Sequence, residues 1–160
     1  MYITGKYILS GLGDLTDVFA IRDKVFVEEQ GIPYELEHDD KDSEAIFALA
    51  FEEGEDFKKP VATGRLLFLE ENFKIGKIAT LKEYRGMGYG DFVVRMLIDK
   101  AFTMGAKQIF VDAQVTAVDF YKKIGFRNVS EVFEEAGIKK QPMVVEPHTC
   151  TRHCHDIKAE

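Results

Sequence analysis

The chain has no tryptophan, only two cysteines and four prolines among its 160 residues, and it lacks a long uninterrupted apolar run. A membrane-spanning helix needs roughly 18 consecutive apolar residues, so we expect no membrane segment. The first residues also lack the apolar core of a secretory signal peptide. Both cysteines, Cys150 and Cys154, lie near the end of the sequence, where they cannot cross-link a core. These absences favour a reducing compartment and predict a cytoplasmic protein.

Basic residues are also few, because 21 Lys and Arg stand against 28 Asp and Glu, for a formal net charge of −7. A general nucleic-acid binder needs a basic face that replaces counterions, so this class is disfavoured. The acids concentrate between Glu28 and Asp56, where Lys41 is the only Lys or Arg. This block either steers a cation towards a site or forms a solvated acidic loop, and the sequence leaves both interpretations open.

The rest of the composition fits one folded domain, since 46% of the residues are apolar and thirteen are Phe,. Apolar runs predict strands over residues 6–12, 45–52, 61–69, 73–81, 108–113, 126–133 and 143–145, with 61–69 and 73–81 as a hairpin. Helical spacing predicts helices over residues 14–30, after Gly90 and over 116–124, while 35–44 is predicted to be loop. We expect an α+β domain over residues 1–147, with a mixed, twisted sheet of about seven strands and helices on both faces, followed by a tail over 148–160.

The segment Arg85-Gly86-Met87-Gly88-Tyr89-Gly90 connects a predicted strand directly to a predicted helix. Glycines let the backbone adopt positive φ and approach a ligand closely. Free N–H groups at a helix N-terminus, together with the helix dipole, attract anions, and Arg85 adds a positive charge. The segment therefore predicts a pyrophosphate site.

Other interpretations of this glycine-rich turn fit less well. A dinucleotide-binding fingerprint needs G-x-G-x-x-G, and here Asp91 occupies the place of the third glycine,. Asp112 does lie at about the distance expected for a ribose-binding acid, so that acid alone does not exclude NAD. A Walker loop is excluded because no Gly-Lys-Ser/Thr follows. A turn without a ligand is disfavoured because three alternating glycines weaken it.

Two segments together resemble the GNAT superfamily of acyltransferases. Residues 85–90 resemble its R-G-x-G-x-G/A acetyl-CoA loop, and residues 114–126 resemble its pattern N-x-x-A-x-x-L-Y-x-K-x-G-F. Further matches to the ElaA-like branch are Arg22, residues 25–30, Pro33-Tyr34, Glu37, Asp39 and Asp42. The resemblance spans about residues 5–147 and implies an acyl-CoA-dependent N-acetyltransferase of the GNAT fold, with acetyl-CoA as cosubstrate.

The resemblance also implies a role for each matching residue. Backbone groups of Ile78 and Thr80 would pair with the pantetheine arm, and the Thr80 N–H would polarise the thioester carbonyl. Gln114 would contact pantetheine, and Tyr121 would protonate the leaving thiolate, although a core tyrosine is the alternative. The other expected cofactor-binding residues are Ala79, Arg85, Gly86, Met87, Gly88, Tyr89, Gly90, Ala117, Phe120 and Lys123.

Some positions depart from the family pattern, and no residue is clearly identified as the general base. Gln114 replaces the usual Asn, while Ile46 and Lys140 stand where the ElaA-like branch commonly has histidines. The amine must lose a proton, and a carboxylate acting through water could take it. The candidates are Glu28, Glu29, Glu37, Asp39 and Glu135. Glu29 is favoured because it ends the first helix before the acidic stretch, although a free amine could react without a base.

The acceptor is expected to be a small-molecule or peptide amine, and the acidic stretch suggests a cation such as a polyamine, an aminoglycoside or a lysine side chain. Many proteins of this fold pair, so a homodimer is compatible with the resemblance. Residues 148–155 contain metal-ligand residue types but no C-x-x-C pair, so a frayed end is favoured and no metal is expected. Two other functions stay open: a catalytically silent acyl-CoA-binding regulatory module, and an acyltransferase similar to acyl-homoserine-lactone synthases.

Overall fold

An eight-stranded sheet forms the centre of residues 1–151, the part of the chain that the computed structural model describes. Its strands are β1 (Tyr2–Leu9), β2 (Ile46–Glu53), β3 (Lys58–Leu69), β4 (Asn72–Thr80), β5 (Ile109–Gln114), β6 (Arg127–Asn128), β7 (Phe133–Glu135) and β8 (Ile138–Val145). They lie in the order β1-β2-β3-β4-β5-β8-β6, with β7 beside β8. The β4–β5 pair is parallel and the others are antiparallel. The predicted α+β class with a mixed sheet is confirmed.

The helices pack on both faces of this sheet. They are α1 (Thr16–Arg22), a π-helix that continues it (Asp23–Glu29), α2 (Tyr34–Glu37), α3 (Tyr89–Thr103) and α4 (Val118–Ile124), with 3₁₀ turns at Asp40–Glu44, Lys82–Tyr84 and Val115–Ala117. The first helix begins at Thr16, with Leu15 at its N-cap position and no side-chain cap, and not at residue 14 as predicted. The Asp14 carboxylate, just before the helix, accepts from both the N–H and the hydroxyl of Thr16. In the π-helix, the Gln30 N–H donates to the Val25 carbonyl, five residues earlier,.

Strand β2 shows how the sequence supplies two cores. Phe47 and Leu49 pack with the first helix, while Ala48 and Ala50 pack on the other face with α3 and α4. Successive residues of a strand point to opposite faces, so a continuous apolar run is what a strand covered on both sides needs. Burying each large apolar side chain contributes about 1.5–3 kcal/mol.

Two tight turns explain where the strand predictions succeed and fail. The predicted β3–β4 hairpin is confirmed, with Glu70 and Glu71 both at positive φ in its turn. A second turn, Ala136-Gly137, folds β7 back onto β8. The predicted single strand over 126–133 is therefore wrong, and β8 begins at Ile138 instead of Met143. Ala136 is not a residue that signals a two-residue hairpin turn, so the sequence did not predict the turn between β7 and β8.

The last described residues pack against α4. The Thr151 N–H donates to the Ile124 carbonyl at 2.9 Å, and Cys150, which is not a free thiol, contacts the core. Residues 152–160 lie outside the described residues, so the tail over 148–160 stays a prediction. Within residues 1–151, no helix is both long and apolar enough to cross a bilayer.

Candidate active site

The β4 and β5 strands separate soon after they meet. Their parallel pairing covers only residues 73–75 and 109–111. In β4, a bulge places both Lys77 and Ile78 opposite Gly64 of β3, and Lys77 adopts a left-handed backbone conformation with φ 52°,. Beyond the bulge, β4 continues to Thr80 without β5 beside it. A cleft of about 740 Å³ opens between the two strands.

The cleft exposes one backbone edge of β4. The Leu81 N–H donates to the Val61 carbonyl of β3 at 2.9 Å, so Leu81 and Ala79 direct their backbone groups towards β3. Because backbone groups alternate along a strand, those of Ile78 and Thr80 point towards the cleft. These are the two residues predicted to pair with an extended ligand. The Thr80 carbonyl already accepts from Arg85 Nε at 3.1 Å.

The glycine-rich turn ends at the uncapped N-terminus of α3. Gly86 and Gly88 have φ of 77° and 90°, which glycine adopts without strain,. The first bond into the helix runs from the Phe92 N–H to the Gly88 carbonyl, and no side chain caps the helix within residues 1–151. The N–H groups of residues 89–91 are therefore free of intrahelical partners. At the start of a helix of 15 residues, such N–H groups are suited to bind an anion,.

Tyr121 stands on α4 at the wall of the same cleft. It is only 5% exposed, and its ring contacts those of Phe120 and Phe126 edge-on. Its hydroxyl makes no hydrogen bond within residues 1–151. Burial raises the pKa of this phenol above its ordinary value of 10, because charged phenolate would lose its hydration. Tyr121 is therefore a protonated donor at neutral pH.

Comparison with known proteins agrees with this geometry. Residues 23–147 match the family described as Acetyltransferase (GNAT) domain. The chain belongs to the GNAT acetyltransferases. It is 37% identical over 131 residues to the uncharacterised N-acetyltransferase YjcF of Bacillus subtilis, over 81% of this chain and 91% of YjcF.

Solved structures share the fold. The crystal structure of Escherichia coli ElaA has a TM-score of 0.75 and 25% identity, over 91% of this chain and 100% of ElaA. A GNAT acetyltransferase from Elizabethkingia anophelis with acetyl-CoA bound has a TM-score of 0.63 and 17% identity, over 90% of this chain and 97% of that one. The resemblance to the ElaA-like branch of the GNAT superfamily is confirmed, and the chain is an enzyme of the acyl-CoA-dependent acetyltransferase class.

Most of the residues predicted for the GNAT site line the cleft. They are Ile78, Ala79, Thr80, Arg85, Gly86, Gly88, Tyr89, Gly90, Gln114, Ala117, Phe120, Tyr121 and Lys123. Met87 and Glu29 do not line it, and the Met87 side chain is exposed. Gln114, which replaces the family Asn, donates its amide to Gln30 Oε1 at 2.9 Å. The roles of all these residues stay predictions.

Glu29 lies beside the glycine-rich turn. Its Oε1 accepts from Arg85 Nη2 at 2.9 Å, in a pair whose side chains are both partly exposed. Arg85 therefore connects the Glu29 carboxylate to the Thr80 carbonyl. The pair accounts for the position of Glu29 without a catalytic role, and the role as base stays a prediction.

Three residues of the acidic stretch are paired with buried arginines. At these positions the stretch is neither a solvated loop nor a surface of unpaired acids that could steer a cation. Glu37, on α2, is 1% exposed and accepts from Arg22 Nε at 2.8 Å. Asp42 accepts from Arg22 Nη1 at 2.8 Å and from Arg65 Nη1 at 3.0 Å. Asp39 accepts from Arg65 Nη1 at 2.7 Å. Residues 35–44 were predicted to be loop, but two short helical turns present these acids to the arginines.

On the β4 side of the cleft, sequence reasoning missed Arg65 and took Lys77 only as a basic residue near the glycine-rich turn. Arg65 of β3 and Lys77 of β4 line the cleft, and both contact the buried acids. No motif marked Arg65, which is one base in an apolar strand. Lys77 faces the cleft because of the bulge, which shifts the register of β4 by one residue. Gly76, directly before Lys77, was the available signal, because glycine inside a strand often marks a bulge.

Proposed function

We propose that the enzyme transfers the acetyl group of acetyl-CoA to a primary amine by direct attack within one ternary complex. The supporting observation is that one cleft joins an open β4 edge, an uncapped helix N-terminus and a buried protonated phenol. These three features match the extended arm, the diphosphate and the leaving sulfur of acetyl-CoA. A neighbour of the same fold carries acetyl-CoA, which supports this choice of cosubstrate.

The backbone would hold most of the cosubstrate. The N–H groups of the glycine-rich turn and of the first turn of α3 would bind the diphosphate, whose charge the helix dipole favours. Gly90 keeps this turn close to β4, since a Cβ there would lie 3.3 Å from Thr80 Oγ1. The backbone of Ile78 and Thr80 would pair with the amides of pantetheine as an added strand. Ala117, Phe120 and Lys123 would line the opposite wall.

The chemistry then needs an oxyanion donor and an acid. The amine nitrogen attacks the thioester carbonyl carbon, the C–S bond breaks, and the Tyr121 hydroxyl donates its proton to the departing sulfur. The Thr80 N–H stabilises the negative charge that develops on the carbonyl oxygen. The proton lost by the amine passes to solvent or to Glu29 through water, and the phenolate recovers a proton from solvent. The raised pKa keeps Tyr121 protonated at neutral pH, so its proton is present when the C–S bond breaks, although it also makes this phenol a weaker acid than free tyrosine,.

A thiol-release assay with acetyl-CoA and a panel of primary amines tests this function. Tyr121→Phe is expected to lower kcat by about 100-fold, the scale of general acid catalysis. Its dissociation constant for acetyl-CoA should stay unchanged in calorimetry, since the ring remains. Tyr2→Phe is the matched control, because Tyr2 is exposed and outside the cleft. Unchanged kcat in Tyr121→Phe would remove Tyr121 from the chemistry.

The same assay separates the alternatives. If Glu29 is the base, Glu29→Gln lowers kcat by about 100-fold. If Glu29 only pairs with Arg85, the KM for acetyl-CoA changes and kcat does not. Binding of acetyl-CoA without transfer to any amine would identify a silent regulatory module. Release of CoA only with S-adenosylmethionine would identify a lactone-synthase-like enzyme.

A further inference from the structure

The walls of the cleft are more basic than the chain as a whole. Among residues 1–151, seven basic residues and four acidic ones line it, whereas the whole chain has a net charge of −7. Each lining acid is paired with a base: Asp39 with Arg65, Asp91 with Arg95, Asp112 with Lys74, and Glu135 with Lys140. No lining carboxylate is therefore left unpaired to bind a cationic acceptor.

Arg65 contributes a hydrogen-bond donor that has no acceptor. It is 6% exposed, and its two terminal nitrogens donate to Asp39 and Asp42. Its Nε is buried and makes no hydrogen bond within residues 1–151. A buried donor left unpaired is destabilising, and a bound water or ion is one arrangement that would satisfy it.

Lys77 places a second donor in the neighbourhood of Arg65, close enough for the two charges to interact. Its Nζ donates to the Glu37 carbonyl at 2.9 Å and lies 3.4 Å from Glu37 Oε1. An ammonium group carries three hydrogens, so at least one has no partner among these contacts. The Glu37 carboxylate is already shared with Arg22, and the charges of Arg22 and Arg65 both disfavour the charged form of Lys77. Burial lowers the pKa of Lys77, and a bound anion would reverse this cost,.

The position of these donors along the cleft sets what they could bind. Lys77 directly precedes Ile78, which begins the β4 edge proposed for pantetheine, so it lies at the acetyl end and not at the diphosphate end. Strand residues are about 3.3 Å apart, which puts Lys77 roughly 10 Å along the strand from Thr80. An anion at Lys77 would therefore lie within the length of a small molecule from the reacting amine.

We propose that the acceptor is a small amine that also carries a carboxylate or phosphate group, which Lys77 and Arg65 recognise. This inference rests on the proposed acetyl transfer and names its second substrate class. It replaces the polycation suggested by the acidic stretch, because the inner acids of that stretch, Glu37, Asp39 and Asp42, are paired with Arg22 and Arg65.

Matched amines test the proposal in the thiol-release assay. The pairs are alanine with alaninamide and phosphoethanolamine with ethanolamine, and spermidine represents polycations. We expect kcat/KM to be at least about 10-fold higher for an anionic member than for its neutral partner, the scale of one charge-assisted hydrogen bond. The carboxylate and phosphate pairs show which anion is used. Preference for a neutral amine or spermidine would overturn the inference while leaving acetyl transfer intact.

Variants of Lys77 separate recognition from structural support. Lys77→Met keeps an unbranched side chain at the same positive φ. It should reduce the preference in kcat/KM for the anionic member of each pair over its neutral partner to within about 3-fold, mainly through KM. Lys77→Arg should keep it. Lys107→Met is the matched control, because Lys107 is exposed and does not line the cleft. A purely structural role would lower activity towards both members of a pair equally, and that result would overturn the assignment of Lys77.

A binding measurement covers the case in which no amine is acetylated. Calorimetry with the protein and CoA would then compare alanine with alaninamide and phosphoethanolamine with ethanolamine. Selective binding of an anionic member, lost in Lys77→Met and kept in Lys77→Arg, would support the anion site even though acetyl transfer had failed. Equal binding of the members of each pair, or binding of none of them, would overturn the anion site.

Discussion

The two ends of the cleft are built in different ways. The end proposed for the diphosphate, here the diphosphate end, consists of backbone N–H groups from one continuous segment, residues 85–91, and depends on glycines at positive φ. The end proposed for the acetyl group, here the acetyl end, depends on side chains from five separate elements, namely Arg22, Glu37, Asp42, Arg65 and Lys77. The first end should be sensitive to an added Cβ, and the second to the loss of one charge.

Removing the central arginine of the acetyl end should have the largest effect. Arg22 is fully buried, so Arg22→Met leaves Glu37 and part of the Asp42 carboxylate without their partner. We expect the free energy of unfolding to fall by about 3–5 kcal/mol, as measured by urea denaturation.

Arg127→Met is the matched control. Arg127 is 57% exposed and pairs with Glu146 at the surface, so its loss should change the free energy of unfolding by less than about 1 kcal/mol. Equal effects of the two variants would show that the buried charges contribute no more than a surface pair.

A methyl group at the diphosphate end should weaken binding instead. Gly88→Ala forces alanine to φ 90° at the start of α3, although a Cβ there would meet no atom within 4 Å. The turn would shift, and the affinity for acetyl-CoA should fall about 10-fold in calorimetry, or about 1.4 kcal/mol.

Gly11→Ala separates backbone strain from binding. Gly11 has φ 81°, equally open surroundings and no place in the cleft. Both alanine variants should lose about 1–2 kcal/mol of stability, and only Gly88→Ala should lose affinity. If Gly11→Ala binds acetyl-CoA as weakly as Gly88→Ala, the glycine-rich turn is not the binding site.

The smallest effect should come from protonating Asp39, which pairs with Arg65 at the acetyl end. Burial disfavours the charged form of Asp39, but the hydrogen bonds and charge of Arg65 outweigh it and lower the pKa of Asp39. A carboxylate with a lowered folded-state pKa contributes stability above its unfolded pKa of about 3.9, and this contribution disappears as the pH falls below that value. The melting temperature of Asp39→Asn should therefore fall less steeply with decreasing pH than that of the native chain. Identical slopes would mean that the Asp39–Arg65 pair contributes no pH-dependent stability.

The two ends also differed in how far the sequence predicted them. The glycine-rich turn is local, so its spacing alone predicted a strand, a turn and a helix, which the structure shows in that order; its anion binding stays a prediction. The sequence did not predict that Lys77 and Arg65 lie near each other in the cleft, because this depends on a bulge and on the pairing of β3 with β4. The strand predicted over 126–133 failed for a related reason, since a tight turn at Ala136-Gly137 governs which residues pair with β8.

The amino-acid sequence by itself determined the α+β class and the glycine-rich turn, because apolar periodicity and glycine spacing act over a few neighbouring residues, and its two motifs carried the resemblance to the GNAT family. Only the tertiary structure decided whether the acids of the acidic stretch face solvent or pair with arginines inside the protein. Buried arginines from α1 and β3 draw Glu37, Asp39 and Asp42 inward, since a buried charge is stable only beside its opposite. The same pairing turns an acidic sequence into a cleft with basic walls, a result that no count of charges along the chain could have predicted.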